Sequence, residues 1–144
     1  MDNLSDSEKH KIKKSYFNLL ALFLSMPYVE SRFVRCLVKW SVQIGISADD
    51  IVKLGKDLTS LTYSHPESKD DKLQSLYHLV YMIYLDKVME DVELEVAMIY
   101  AEKIGLDKNV VVKLFQSIAT APADGITPDR LEREVLEFMS GNSQ

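Results

Sequence analysis

The sequence predicts an all-α protein that folds as a single compact bundle of about seven helices. Apolar residues recur at spacings of three and four along most of the 144 residues, as they do on the buried face of a helix. Glycine and proline interrupt this pattern at intervals that suit helix lengths, and no segment alternates as a half-buried strand would. The chain is long enough to bury its own core, so we place one domain over residues 1–144.

A displacement of sixty residues aligns one part of the chain with another without a gap. The segment SYFNLLALFL, which begins at Ser15, aligns with SLYHLVYMIY, which begins at Ser75. Apolar positions agree more often than identities do, as expected when packing preserves the likeness. The repeat predicts two trihelical copies, at about 15–58 and 75–118, that are related by a pseudo-twofold axis.

The first copy begins with two helices. Ser5 or Ser7 can cap the first helix, which runs to about Met26 and is stopped by Pro27. The second helix follows from about residue 29 to residue 44. Its apolar side chains lie four, three and four residues apart, at Phe33, Leu37, Trp40 and Ile44.

A third helix completes the first copy. Gly45 suits the left-handed position that ends many helices, and Ser47 then caps a helix that runs through Leu61. After it, residues 62–70, TYSHPESKD, form the only stretch with the composition of a linker. We therefore expect the two copies to be joined there.

The second copy repeats this order, and a last helix follows it. We expect the three helices of the second copy at about 71–85, 91–104 and 108–119. Gly105 suits the end of the middle one. Thr127 and Pro128 suit the cap and the first turn of the last helix, which we place at about 128–140.

Two segments at equivalent places in the repeat, 16–26 and 76–85, are apolar nearly all the way round. Helices of this kind in a soluble chain are buried on several sides. We expect the two segments to pack on each other at the centre of the bundle, near the pseudo-twofold axis. The amphipathic helices of each copy should then surround them.

Charge, cysteine content and segment length exclude several classes of protein. With a formal net charge of −5, the chain lacks the basic face with which nucleic-acid binders displace counterions from phosphates. Cys36 is the only cysteine, so no intramolecular disulfide forms, which agrees with a cytoplasmic location. The apolar run at 19–24 is too short to span a bilayer, so we predict no transmembrane segment.

The stretch DKVMEDVELE at 86–95 concentrates carboxylates at the start of a predicted helix. Oxygen ligands of this kind hold Ca²⁺ or Mg²⁺, and a tight loop would bring Asp86, Glu90 and Glu93 together. The alternative is that these side chains cap the helix and interact favourably with its dipole. The stretch therefore predicts either a divalent-cation site at these three residues or an acidic helix cap.

No set of residues has the composition of a catalytic site, so we predict that the protein is not an enzyme. The three histidines are scattered, and Cys36 lies among apolar neighbours, as a core thiol does. Tyr77, Tyr81 and Tyr84 lie at helical spacing, either in the core or along a pocket between the two copies. A small-ligand-binding protein or an enzyme that uses this pocket is the alternative function.

The two copies differ in charge. The first carries Arg32, Arg35 and Lys39 on its second helix, whereas the equivalent part of the second copy is acidic. Such a domain can dock a charged protein partner or associate head to tail, although solvated helix faces carry similar charges. A homodimer through exposed apolar residues such as Tyr28 and Val29 is a further prediction.

The string LDKVMEDVELEVAMIYAEKIGLDKNVVVKLF in the second copy resembles the pattern of the TerB-like (tellurite resistance B) family. In that family an Asp-Gly turn leads into an acidic helix start, and the helix closes on a small-aliphatic-Gly-Leu ending. Asp86 lies at the family's aspartate, Glu93 at its helix-start glutamate, and IGL at 104–106 at its closing motif. Lys87 stands where the family has glycine.

The resemblance implies a non-enzymatic helical module in the cytoplasm, linked to metal or chemical stress and to membrane-associated complexes. It implies contacts with a protein partner and, as in some members, a divalent cation held by acidic residues. Asp86 and Glu93 are the matched positions for such a cation. Glu90 is added because of its place beside them in the chain.

Overall fold

Six α-helices dominate the computed structural model, which describes residues 4–47, 49, 62–121 and 127–142. Their bounds are α1 Asp6–Leu24, α2 Ser31–Gln43, α3 Lys69–Ile83, α4 Asp91–Lys103, α5 Asn109–Ala119 and α6 Pro128–Asn142. A short 3₁₀ turn, Tyr84–Asp86, follows α3, and the described ranges contain no strand. The predicted all-α class is thereby confirmed.

The described residues form six helices, whereas the sequence predicts about seven for the whole chain. The helix predicted to run from Ser47 through Leu61 falls almost wholly outside the described residues. The remaining predicted helices correspond to α1 to α6, with ends that differ by a few residues. The pseudo-twofold relation between the copies stays a prediction.

Several of the helices have a capping hydrogen bond at their first turn. Ser5 Oγ accepts a hydrogen bond from the Glu8 amide at 3.1 Å, and Thr127 Oγ1 accepts one from the Arg130 amide at 3.2 Å. Both hydroxyls were among the predicted caps. Ser68, predicted to lie in a linker, caps α3 in the same way, so that helix starts at Lys69.

Two glycines at equivalent places in the predicted repeat end α2 and α4. Gly45 and Gly105 have φ values of 70° and 92°, which only glycine adopts without strain. In each case the amide of the next residue donates to a carbonyl five residues back, at 2.9 Å. The left-handed helix ends predicted at both glycines are therefore confirmed.

Helix α3 is the centre of the described bundle and contacts each of the other five helices. Leu76, Val80 and Ile83 on this helix are completely buried. Helix α1 packs chiefly on α3, which confirms the predicted contact between the two apolar segments. The two helices are not equivalent, however, since Leu24 at the end of α1 is half exposed.

No described helix is long and apolar enough to cross a membrane.

Candidate functional site

The three carboxylates predicted as cation ligands gather around an ammonium group from α2. Lys39 Nζ lies 3.1 Å from Asp86 Oδ2, 3.5 Å from Glu90 Oε1 and 3.2 Å from Glu93 Oε2. We call these four residues the lysine cluster. The predicted convergence of the carboxylates is real, but the protein itself supplies a cation at their centre.

Glu93 is the buried member of the lysine cluster, with 1% of its surface exposed. Its Oε2 accepts a hydrogen bond from Trp40 Nε1 at 2.7 Å, and its Oε1 accepts one from the Glu90 amide at 3.0 Å. The second contact belongs to a capping box at the start of α4. The capping role that the sequence offered as the alternative is therefore confirmed.

Ion pairing within the lysine cluster stabilises the charged forms of both Asp86 and Lys39. Partial burial opposes the ionisation of Asp86, but Lys39 and the Val88 amide outweigh it and lower the pKa of Asp86. Burial likewise opposes the charge on Lys39, yet Asp86 and Glu93 raise the pKa of Lys39 above its ordinary value. A divalent cation would have to displace this ammonium group, so a metal site at Asp86, Glu90 and Glu93 stays a prediction.

Lys87, in the turn beside the lysine cluster, has the only positive φ among the described non-glycine residues, at 64°. This is the conformation that glycine adopts most readily. Lys87 stands where the TerB-like pattern has glycine. The side chain places its ammonium 5.4 Å from the centre of the Tyr84 ring.

A second group of ionisable side chains lies in the core where α1, α3 and α6 meet. Glu8, His78 and Glu132 are 3%, 3% and 6% exposed, and we call them the buried cluster. His78 Nε2 lies 2.6 Å from Glu132 Oε1 and 4.0 Å from Glu8 Oε2. One possible ligand atom from each residue lies within 4.8 Å of the other two, and no other group of three described residues meets that criterion for holding a metal ion.

Two facing atoms of the buried cluster lack a hydrogen bond of acceptable geometry. These atoms are His78 Nε2 and Glu132 Oε1, which are close together but poorly aligned. On the other side of the imidazole ring, Nδ1 lies 3.5 Å from Ser15 Oγ. Buried polar atoms in proteins are nearly always paired, and here each of the two atoms has the other as a partner at 2.6 Å.

The protonation of the buried carboxylates reflects their environment. Burial first, and then the neighbouring Glu132, raise the pKa of Glu8 to about 7. Burial also opposes ionisation of Glu132, but the contact with the His78 ring outweighs it and lowers the pKa of Glu132. Near neutral pH, Glu132 is therefore ionised beside the His78 ring, and Glu8 is partly protonated.

The buried cluster borders a cavity of about 450 Å³. Glu8 and Glu132 form part of its wall, and five polar residues from α1, α3 and α6 also line it: Ser7, Lys11, Gln74, Asp129 and Arg133. Lys11 Nζ lies 3.5 Å from Glu8 Oε1. The carboxylates of the cluster therefore lie beside a charged depression that is open to solvent.

The sequence did not reveal the buried cluster because its members are far apart in the chain. In the sequence the three histidines are scattered, and no spacing relates His78 to Glu8 or Glu132. A signal was nevertheless present: Glu8 lies four and eight residues before Ile12 and Tyr16, both buried, and Glu132 lies three residues before buried Val135. An acidic residue in line with an apolar helix face is the pattern that would have identified them.

Other residues considered for chemistry belong to the packed interior. Cys36 is buried, and burial, followed by the charge of Glu93, raises the pKa of its thiol to about 11. Tyr77 is completely buried and stacks on Tyr81, with ring centroids 5.9 Å apart. Tyr84 is partly buried, and none of the three tyrosines lines the cavity beside the buried cluster.

The fold and the two clusters define an all-α protein with a carboxylate–imidazole group in its core and a lysine-centred acidic turn near its surface. No family model, curated protein or solved structure matches the chain. The resemblance to the TerB-like family therefore stays a prediction. The function has to be inferred from the geometry of the clusters.

Proposed function

We propose that this chain is a non-enzymatic, TerB-like helical module of the cytoplasm that binds one divalent transition-metal ion at the buried cluster. The observation that supports this most directly is the convergence of three buried side chains, Glu8, His78 and Glu132, whose possible ligand atoms all lie within 4.8 Å of one another. Imidazole nitrogen and carboxylate oxygen are ordinary ligands of zinc and related metals. A role in a response to metal or chemical stress follows from the resemblance.

The spacing of the buried cluster is close to what such an ion requires. In tetrahedral zinc sites with bonds of about 2.0–2.2 Å, neighbouring ligand atoms lie about 3.3–3.6 Å apart. The separations of 2.6 Å and 4.0 Å from His78 Nε2 lie on either side of that range. Small shifts of Glu8 and Glu132 would therefore accommodate the ion, and the two carboxylates would balance its charge.

The proposal is tested by isothermal titration of metal-stripped protein with Zn²⁺, Co²⁺, Mg²⁺ and Ca²⁺. We expect one equivalent of Zn²⁺ or Co²⁺ to bind and His78→Gln to remove the binding, with helicity checked by circular dichroism. Bound Co²⁺ should lack a thiolate charge-transfer band, because Cys36 lies outside the buried cluster.

The matched control for this titration is Asp86→Ala, which should leave Zn²⁺ binding unchanged. If Asp86→Ala abolishes metal binding while His78→Gln retains it, the ion binds at Asp86, Glu90 and Glu93 and the buried cluster is not the site. The absence of heat with all four metals would contradict metal binding at either cluster.

Contacts with other proteins are a second candidate function, because α2 carries an exposed apolar row. Val34, Val38 and Val42 lie four residues apart and are 43%, 58% and 76% exposed. Tyr28, one of the two residues predicted for a dimer surface, is also exposed, whereas Val29 packs partly against the core. A second copy of this chain is a suitable partner, since antiparallel pairing of α2 helices would place each valine against a valine.

Sedimentation velocity at increasing protein concentration tests this pairing. We expect a reversible monomer–dimer equilibrium that Val38→Glu shifts to monomer, because the charge would be buried against its own copy. Val88→Glu is the control, since Val88 is similarly exposed but lies outside α2. A wild-type chain that stays monomeric at the highest concentration would contradict self-association through this row.

A further inference from the structure

We infer that the metal ion of the proposed function takes a small oxyanion, a carboxylate or a phosphate, as its remaining ligand in the adjoining cavity. The inference rests on the proposed function, since the anion is held by the metal and by the cationic wall of the cavity together. Glu8, His78 and Glu132 offer three ligands, and three-ligand metal sites keep a further position open to an external group. The cavity that Glu8 and Glu132 border is where that position can be reached.

The polar wall of the cavity contains the hydrogen-bond donors that an oxyanion requires. Arg133 offers a planar guanidinium, which suits the paired oxygens of carboxylates and phosphates. It makes no ion pair with any described residue. Gln74 and Ser7 add an amide and a hydroxyl from α3 and α1. The donors thus come from all three helices that supply the metal ligands.

The formal charge of the cavity makes anion binding depend on the metal. Counted with every carboxylate ionised, Glu8, Asp129 and Glu132 outnumber the two cations, Lys11 and Arg133, by one in the metal-free cavity. A divalent ion changes this excess into one net positive charge. Small anions are therefore repelled from the metal-free cavity and attracted to the loaded one.

The experiment uses the full chain loaded with Co²⁺, whose visible absorption reports directly on its ligands. Inorganic phosphate and acetate are titrated separately, and we expect at least one of them to change the spectrum in a saturable way. The anion with the lower half-saturation concentration identifies the preferred chemistry. The same anion should show no binding to metal-free protein by isothermal titration.

Two substitutions on α6 locate the anion. Arg133→Gln should weaken anion binding by about tenfold or more, the loss expected for a charge-assisted hydrogen bond, while Co²⁺ affinity stays within about twofold. The control is Arg130→Gln, because Arg130 is on the same helix but pairs with Glu134 at 3.0 Å and does not line the cavity. It should leave both affinities unchanged.

The outcomes separate this inference from the proposed function. If Co²⁺ does not bind to the wild-type chain, the proposed function itself fails. If Co²⁺ binds but neither anion alters its spectrum, only the inference is overturned. An anion effect that Arg133→Gln leaves intact would also overturn it, because the anion would then lie outside the cavity.

Discussion

Replacing Glu93 by alanine is expected to lower the free energy of unfolding by about 3–5 kcal/mol, as when one partner of a buried ionic network is removed. The substitution takes away the acceptor of the fully buried Trp40 indole N–H and of the Glu90 amide. An unpaired buried donor loses its hydration without compensation, which makes such deletions costly. Urea unfolding followed by circular dichroism measures the change.

Two further substitutions show whether the loss of stability in Glu93→Ala comes from its buried contacts. Glu95→Ala removes an exposed ion pair with Arg32 at 2.6 Å and is expected to cost at most about 1 kcal/mol. Glu93→Gln keeps an acceptor for Trp40 but removes the charge, so its effect should fall between the other two. Equal losses for Glu93→Ala and Glu95→Ala would show that the buried contacts of Glu93 contribute no more to stability than an exposed ion pair does.

Substitution of the buried cluster is expected to have opposite effects, depending on how much of it is removed. In metal-free protein, His78→Ala should cost about 3–5 kcal/mol, because Glu132 would remain buried without its partner. Replacing all three residues by apolar ones of similar volume, Glu8→Met, His78→Leu and Glu132→Met, should leave stability unchanged or raise it by about 1–4 kcal/mol. Urea unfolding in the presence of a chelator measures both changes.

Addition of metal extends the same experiment. At a free Zn²⁺ concentration of about 100 times its dissociation constant, the wild-type chain should gain about 2.7 kcal/mol, whereas the triple variant should gain nothing. An ionic cluster that lowers the stability of the metal-free protein and raises that of the loaded one is expected of a binding site. A triple variant that is far less stable than metal-free wild type would instead show that the buried cluster stabilises the folded protein.

Helix ends were predictable where the interaction that forms them is local. Ser5 and Thr127 each bond to an amide three residues away, and Gly45 and Gly105 each end a helix by their own backbone conformation. Such signals are contained within a few residues of sequence. Ser68 was missed because several serines and aspartates between residues 64 and 71 are equally suitable caps, and the start of the packed face selects among them.

The lysine cluster was predictable only in part. Asp86, Glu90 and Glu93 lie within eight residues of one another, and a turn followed by a helix start brings such residues together. Lys39 and Trp40 approach Glu93 from 54 and 53 residues away, on a different helix. The packing of α2 on α4 therefore converted a candidate cation site into a site that already contains an ammonium group.

The sequence by itself determined the all-α class, most helix boundaries and the convergence of the acidic turn. These features follow from apolar periodicity and capping, which act between residues close together in the chain. Only the tertiary structure assembled Glu8, His78 and Glu132, because each lies on a different helix and α1 and α6 both pack on α3. Burial of a polar side chain depends on what covers it, and here helices remote in sequence provide the cover.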